Sequence, residues 1–333
     1  MANDVSYSSG LNAPLVEEES RRTEAAIQPP SDNEAMAKPL SPRRQAVRRF
    51  ARNKLAVVSL ATLAFLVVLT LIAQWLPLID PTAPDPINQD AFPGGAHILG
   101  TDSSGHDLFS SMIYGLRTPL LVGISGTVIN TFIGVALGVI AGYFGGWIDS
   151  VLSRFTELMF AMPVLVIALL AEGLFANPGL PIAVALGGSA RVIVMVVVFA
   201  LFGWPPLMRF VRGLTLQYKE MQFVEAARSL GVSDRQIIVQ HILPNTWGLV
   251  LVQASFLVAG FIYNEVVLTI LGFGVQIPTP DLGLMADSAL GQLEVNWVET
   301  MAPSILLTIL IVAFAFLGDG LRDAFDPQTK LTG

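Results

Sequence analysis

FVEAARSLGVSDRQIIVQHILPN, Phe223–Asn245, differs from everything around it. Long apolar runs flank it, yet it is charged, amphipathic and interrupted by one glycine. Glu225, Ala226, Ala227 and Leu230 fall at spacings that suit a short helix. Gly231 suits the position just past a helix end, where positive φ costs glycine nothing. Ser233, with Gln236 three residues on, makes a capping-box pattern for a second helix. Pro244 lacks an N–H and biases Leu243 to extended backbone, so that helix is expected to stop near Ile242. The stretch reads as helix, glycine turn, helix: a compact knuckle between membrane spans, suited to contact with another protein.

The flanking composition sets the solvent. The chain has 333 residues, 53% hydrophobic and 14% charged, with a mean hydropathy of +0.62. Soluble domains carry about 25% charge, so this chain belongs in a lipid bilayer. It has no cysteine, which excludes disulfides, thiol catalysis and cysteine metal sites. The net charge of −7 is unevenly spread. Basic residues cluster beside apolar runs and not on a soluble face, so no nucleic-acid partner is expected.

Residues 1–40 are rich in Ser, Pro, Glu and Ala without apolar periodicity and read as a disordered tail. Residues 41–54 read as a basic juxtamembrane helix: Ser41 and Pro42 suit its start, and Arg43, Arg44, Arg48, Arg49, Arg52 and Lys54 suit an anionic leaflet. A span needs about 20 apolar residues. Six stretches qualify: Leu55–Trp75, Leu120–Tyr143, Leu158–Phe175, Val192–Val211, Leu249–Leu271 and Pro303–Leu321. The third is interrupted by Glu172. Gly134, Gly138 and Gly142 recur every four residues in the second, a pattern for close helix packing. Lys and Arg concentrate before the first span, after the fourth and after the sixth, while alternate loops carry only Arg117 and Arg191. Both termini and the knuckle are therefore expected in the cytoplasm.

This gives an all-α, polytopic membrane protein with six transmembrane helices. Its parts are a tail (1–40), the basic helix (41–54), a first span (55–77), an external loop (78–118), a core of five spans (119–322) holding the knuckle (223–245), and a tail (323–333). Within the external segments, Asp107–Leu116 and Leu282–Leu293 suit short surface helices. These segments suit a cover over the mouth of a path, a docking site, or plain connectors.

Several motifs resemble one family. Glu225-Ala226-Ala227, three residues, Gly231, nine residues, His241, one residue, then Leu243-Pro244 resembles the EAA loop of ATP-binding-cassette (ABC) import permeases, with His241 at the usual Ile. HILGTDSSGHD (His97–Asp107), GYFGGWIDSVLSRFTELMFAMP (Gly142–Pro163) and NEVVLTILGFGVQIPTPDLGLM (Asn264–Met285) resemble the dipeptide/oligopeptide/nickel branch, C-type subunit. His106 stands where Arg is usual and Leu282 where Trp is usual. The resemblance runs from about His97 to Asp326. It implies a type I ABC importer permease-like fold, with Glu225, Ala226, Ala227, Gly231, Leu243 and Pro244 forming the loop that docks on an ATPase. Implied partners are a B-type permease subunit, one or two kinds of ATP-binding subunit and an external substrate-binding protein, in a prokaryotic plasma (inner) membrane. The implied cargo is a di- or oligopeptide, with nickel or glutathione as alternatives.

The missing motifs agree. None of the chain's lysines, Lys38, Lys54, Lys219 and Lys330, follows a glycine, so there is no P-loop. Its three histidines are scattered. No cofactor is expected on this chain; ATP and Mg belong on the partners. Ala226 and Ala227 offer a low-profile face, Glu225 and Arg228 rim charges, and Leu230, Ile237 and Ile238 apolar area. Ionisable residues inside spans suggest function. Glu265, beside Asn264, is the best candidate for the translocation path, against the alternative of a structural hydrogen bond to a neighbouring helix. Other function classes consistent with the composition are an ion-coupled secondary transporter or channel, and a membrane scaffold.

Overall fold

In a computed structural model, the described residues are 42–175, 179, 181, 184 and 189–325. The readings for 1–40 and for 326–333 lie outside them. The chain divides into two units, 1–45 and 46–333. Of the first, residues 42–45 are described, as a turn of helix; the second holds the spans and the knuckle.

The regular secondary structure of the described residues is helical, with two isolated β-bridges between Gly94 and Asp107. Helix α1, Pro42–Arg52, carries the basic cluster and ends at Asn53. The Asn53 side chain accepts from the Ala56 amide and caps α2, Lys54–Ile72, which a short 3₁₀ turn extends to Trp75. No charged side chain interrupts α2 after its first residue, as a lipid-facing helix requires. Helix α3, Leu108–Gly115, runs almost directly into α4, Arg117–Phe144. The expected surface helix at Asp107–Leu116 is thus the buried extension of a span, with Leu108, Ser110, Ser111, Met112 and Ile113 all inside.

Helices α5 (Gly146–Ala161) and α6 (Val164–Phe175) correct the third span. The apolar stretch does not make one straight helix. It breaks at Met162–Pro163 with a bend of 71°. Pro163 cannot donate to a continuing helix, and Met162 before it takes extended backbone. The break comes from Pro163, not from Glu172. Helices α7 (Ala190–Phe202) and α8 (Pro205–Lys219) come next, joined through Gly203 and Trp204. They form one long apolar element that reaches two turns beyond the expected Val211.

The knuckle supplies α9, Gln222–Ser229, and α10, Asp234–Gln236. A π-helical turn, Ile237–Ile242, then joins α10 to α11, Leu243–Ile270. Helix α12, Leu282–Ser288, precedes α13, Trp297–Phe325. Five helical elements are long and apolar enough to cross a membrane, or six if the bent pair α5–α6 is one span.

The core forms where these elements cross. Leu63 and Leu66 of α2, Leu120 of α4, Ile262 of α11 and Leu310 and Phe314 of α13 make one buried cluster. Val122 of α4, Ala168 of α6, Met195 and Phe199 of α7 and Phe261 and Leu268 of α11 make another. The glycine ladder of α4 lies against α8. A Cβ on Gly138 would sit 2.7 Å from the Met208 carbonyl oxygen, and one on Gly142 would sit 2.8 Å from that of Arg212. The two backbones touch there because both side chains are absent. Asn130 of α4, fully buried, donates to the Phe199 carbonyl of α7 at 2.9 Å.

Candidate functional site

The knuckle is built from two local devices. Helix α9 ends in a Schellman turn: Val232 N–H donates to Ala227 O at 3.1 Å and Gly231 N–H to Arg228 O at 3.0 Å. The turn requires a left-handed residue, and Gly231 has φ 77°. Then α10 opens on the expected capping box of Ser233 and Gln236. The chain reverses between two helices without leaving these amides unpaired.

The second helix does not stop at Ile242. Pro244 has no N–H for the Gln240 carbonyl and would crowd it in a regular α-helix. The backbone instead widens: Leu243 N–H donates to Ile238 O, five residues back. The Asn245 side chain donates to the His241 carbonyl at 2.5 Å. These adjustments carry the helix past the proline, so Asp234–Ile270 is one continuous element. The knuckle is therefore the end of a rod and not a loop hung between spans.

One face of the knuckle packs inward. Val224, Ala227, Ile237 and Ile242 are buried with Tyr143 of α4. Tyr143 Oη donates to Asp234 Oδ1 at 2.6 Å, and Arg228 also reaches that hydroxyl. Nearby, the Arg212 guanidinium of α8 forms a fork on the Asp149 carboxylate of α5, Nη2 to Oδ2 at 2.6 Å. Ala227 and Ile237 thus serve the internal core, a correction to their expected place on a partner-facing surface. The other face is open. Glu225, Ala226 and Arg228 are exposed, and Leu230 is 84% exposed, with Phe223 and Val239 also outside. The exposed face thus combines charged and apolar side chains.

Asn264 and Glu265, adjacent in sequence, part company. Asn264 lines a groove of about 340 Å³ with Met159, Phe160, Phe202, Gln253 and Gly260. Glu265 is fully buried. Its Oε1 accepts from Thr269 at 3.1 Å, and its carboxyl is in hydrogen-bonding contact with Asp281. Asp281, also fully buried, caps α12 by accepting from the Gly283 and Leu284 amides at 2.9 and 3.1 Å. Burial pushes the Asp281 carboxyl up, to about 6. Sequence reasoning missed this partner. The available signal was an Asp directly before Leu282-Gly283, at a helix N-cap position.

At the end of the bundle opposite the knuckle, the segment before α3 and the one before α13 are sewn together. His97 Nδ1 and Asp107 Oδ1 lie 2.9 Å apart, as do His106 Nδ1 and Asp102 Oδ2. Asn296 donates to the Thr101 carbonyl, and Ser103 N–H to Glu299 Oε1. No group of three or more metal-ligating side chains occurs among the described residues.

Known proteins share both the sequence and the fold. The family described as binding-protein-dependent transport system inner membrane component matches residues 134–331, and the N-terminal transmembrane domain of oligopeptide transport permease C matches residues 41–93. The chain belongs to the binding-protein-dependent transport system inner membrane components. A relative is the oligopeptide transport system permease protein OppC of Haemophilus influenzae, 40% identical over 86% of this chain and 88% of that one. Another is the dipeptide transport system permease protein DppC of Bacillus subtilis, 35% identical over 87% of each. Among solved structures, inward-facing conformations of the MetNI methionine ABC transporter share the fold: TM-score 0.52 at 18% identity, over 65% of this chain and 97% of that one. This inner membrane component is accordingly a multi-pass transport permease. Its knuckle, glycine ladder and groove all lie within the matched residues 134–331.

Proposed function

We propose that this permease is one of two membrane subunits of an ATP-driven importer, and that the knuckle is where it receives force from a cytoplasmic ATPase. The observation that carries this is the continuity of Asp234–Ile270. Next to its first turn, α9 and its C-cap present an exposed face of Glu225, Ala226, Arg228 and Leu230. The rod's other end reaches Glu265 and the external segments. A push on the first end moves the second as a lever, because packed helices shift as units.

The chain itself hydrolyses nothing in this scheme. ATP and Mg sit on the ATPase subunits, a B-type permease completes the path, and an external binding protein delivers cargo. Both termini lie in the cytoplasm, as the basic α1 supports. The cargo is a di- or oligopeptide. The names of the relatives support this, and so does the groove beside Asn264, which has amides in Gln253 and Asn264 and no charged side chain. Such a lining suits peptide backbones of varied sequence. Nickel and glutathione remain the alternative cargoes within the same reading.

The test is a reconstituted importer whose ATPase activity rises with cargo-loaded binding protein. Gly231→Pro and Glu225→Lys should leave the permease inserted and abolish both stimulation and uptake. Normal uptake by both variants would sink the assignment. Uptake without any ATPase subunit would instead favour an ion-coupled transporter.

A further inference from the structure

Glu265 and Asp281 come from different elements, one from the far end of the rod and one from the cap of α12. Both are fully buried. Their carboxyls are in contact, and each has one oxygen without a donor, Glu265 Oε2 and Asp281 Oδ2. Two ionised carboxylates in contact and out of water repel strongly. A single proton held between them supplies the missing donor and removes that repulsion. The remaining oxygens are served by Thr269 on Glu265 and by the Gly283 and Leu284 amides on Asp281, with Thr118 of α4 also reaching Asp281.

We propose that Glu265 and Asp281 share one proton and act as a clamp that fastens α12 and the second external segment to the moving end of Asp234–Ile270. The clamp deepens the importer reading and rests on it for its consequence: motion entering at the knuckle leaves through this pair. Glu265 is then a positioning residue, holding an outer element to the lever, and does not touch cargo.

The surroundings fit this role. Gly115 of α3 lies against the backbone of Asp281 and Leu282, so no side chain wedges them apart. Arg117, the nearest arginine along α4, stacks over the Tyr114 ring at 4.5 Å. Asp102, His106 and Glu299 line a cavity of about 90 Å³ with Asp281; His106 is engaged by Asp102, and Glu299 accepts from Ser103. The pair is left to neutralise itself.

The experiment uses the full importer in lipid nanodiscs and has two readouts. First, infrared spectra at about pH 7.5 are taken for wild type and Glu265→Gln. The wild type should show the C=O stretch of a buried protonated carboxylic acid that the variant lacks, since a Gln amide donates to Asp281 without a proton. A flat wild-type-minus-variant difference in that region overturns the shared proton. Second, stimulation of ATPase activity by loaded binding protein is compared at about pH 7.5. Glu265→Gln should stay within about twofold of wild type, whereas Glu265→Ala should lose at least about tenfold. Equal stimulation by the Gln and Ala variants would overturn the clamp. A wild-type complex that shows no stimulation would sink the importer reading while leaving the infrared result standing.

Discussion

Tyr143 Oη donates to Asp234 Oδ1 at 2.6 Å, joining the last turn of α4 to the first turn of the lever. The contact crosses 91 residues of sequence and sits beside the buried cluster of Val224, Ala227, Ile237 and Ile242. It gives the knuckle a fixed seat on the glycine-ladder helix. A charge-assisted hydrogen bond of this kind is worth about 1.5–3 kcal/mol. Tyr143→Phe should keep the ring in its cluster, measurably lower the thermal stability of the knuckle and reduce coupling between ATPase activity and uptake by several-fold. The check is the ratio of cargo moved to ATP consumed in proteoliposomes; an unchanged ratio would show that the seat needs only the apolar packing.

Gly231 permits a test that separates backbone strain from surface contact. A Cβ there would meet nothing within 4 Å, but the residue holds φ 77°. Any loss on substitution is conformational. Asn should be the mildest change, Ala should cost about 1–2 kcal/mol, and Pro, which is confined to negative φ, should abolish the turn. Complex assembly measured by co-purification with the ATPase should fall in that order. If Ala, Asn and Pro behave alike, the turn geometry is not what the partner reads.

The glycine ladder predicts the opposite kind of failure. At Gly138 an added methyl would press on the Met208 carbonyl at 2.7 Å, which is backbone and cannot swing aside. Gly138→Leu should push α4 from α8, cost at least about 1–3 kcal/mol and lower the yield of folded permease in membranes. Size-exclusion profiles and melting curves in detergent check this. Gly213, where a Cβ would meet open space, should accept Ala without loss of yield.

Arg212 and Asp149 make a partly buried fork between α8 and α5. Arg212→Lys keeps the charge but loses the two parallel bonds. It should destabilise by about 1–3 kcal/mol, in line with breaking a charge-assisted bond. Asp149→Asn should do at least as much, because it leaves the guanidinium without its carboxylate. Melting temperature in low and high salt is the measurement. A partly buried pair should show less salt dependence than a fully exposed one.

How far the sequence could be read depends on the range of the forces involved. The Schellman turn at Gly231 and the capping box at Ser233 are local, set by φ preference and by side chains three residues apart, and both were visible in the residues. The glycine ladder was visible as a packing face because helical spacing alone puts Gly134, Gly138 and Gly142 together. The passage of the helix through Pro244 was not. Proline's preference for ending helices is strong, and only the packed cluster under Ile237 and Ile242 makes a π-turn worth forming there. The break at Pro163 was hidden because a count of apolar residues ignores where a backbone N–H is missing. Placement of Ala227 and Ile237 inside the knuckle, and the meeting of Glu265 with Asp281, depend on tertiary contacts that no spacing rule contains.

The most direct test of the lever uses the absence of native cysteine. Leu230→Cys places a single thiol on the side chain that stands 84% exposed on the open face of the knuckle. In the assembled importer, a short thiol-anchored photo-cross-linker at that position should join the permease to the ATPase subunit in high yield, and the yield should change when ATP closes the ATPase pair. A control thiol at Val57, on the exposed side of α2, should give no such product. Cross-linking from position 230 to lipid or to nothing, in a complex that still transports, would contradict the account.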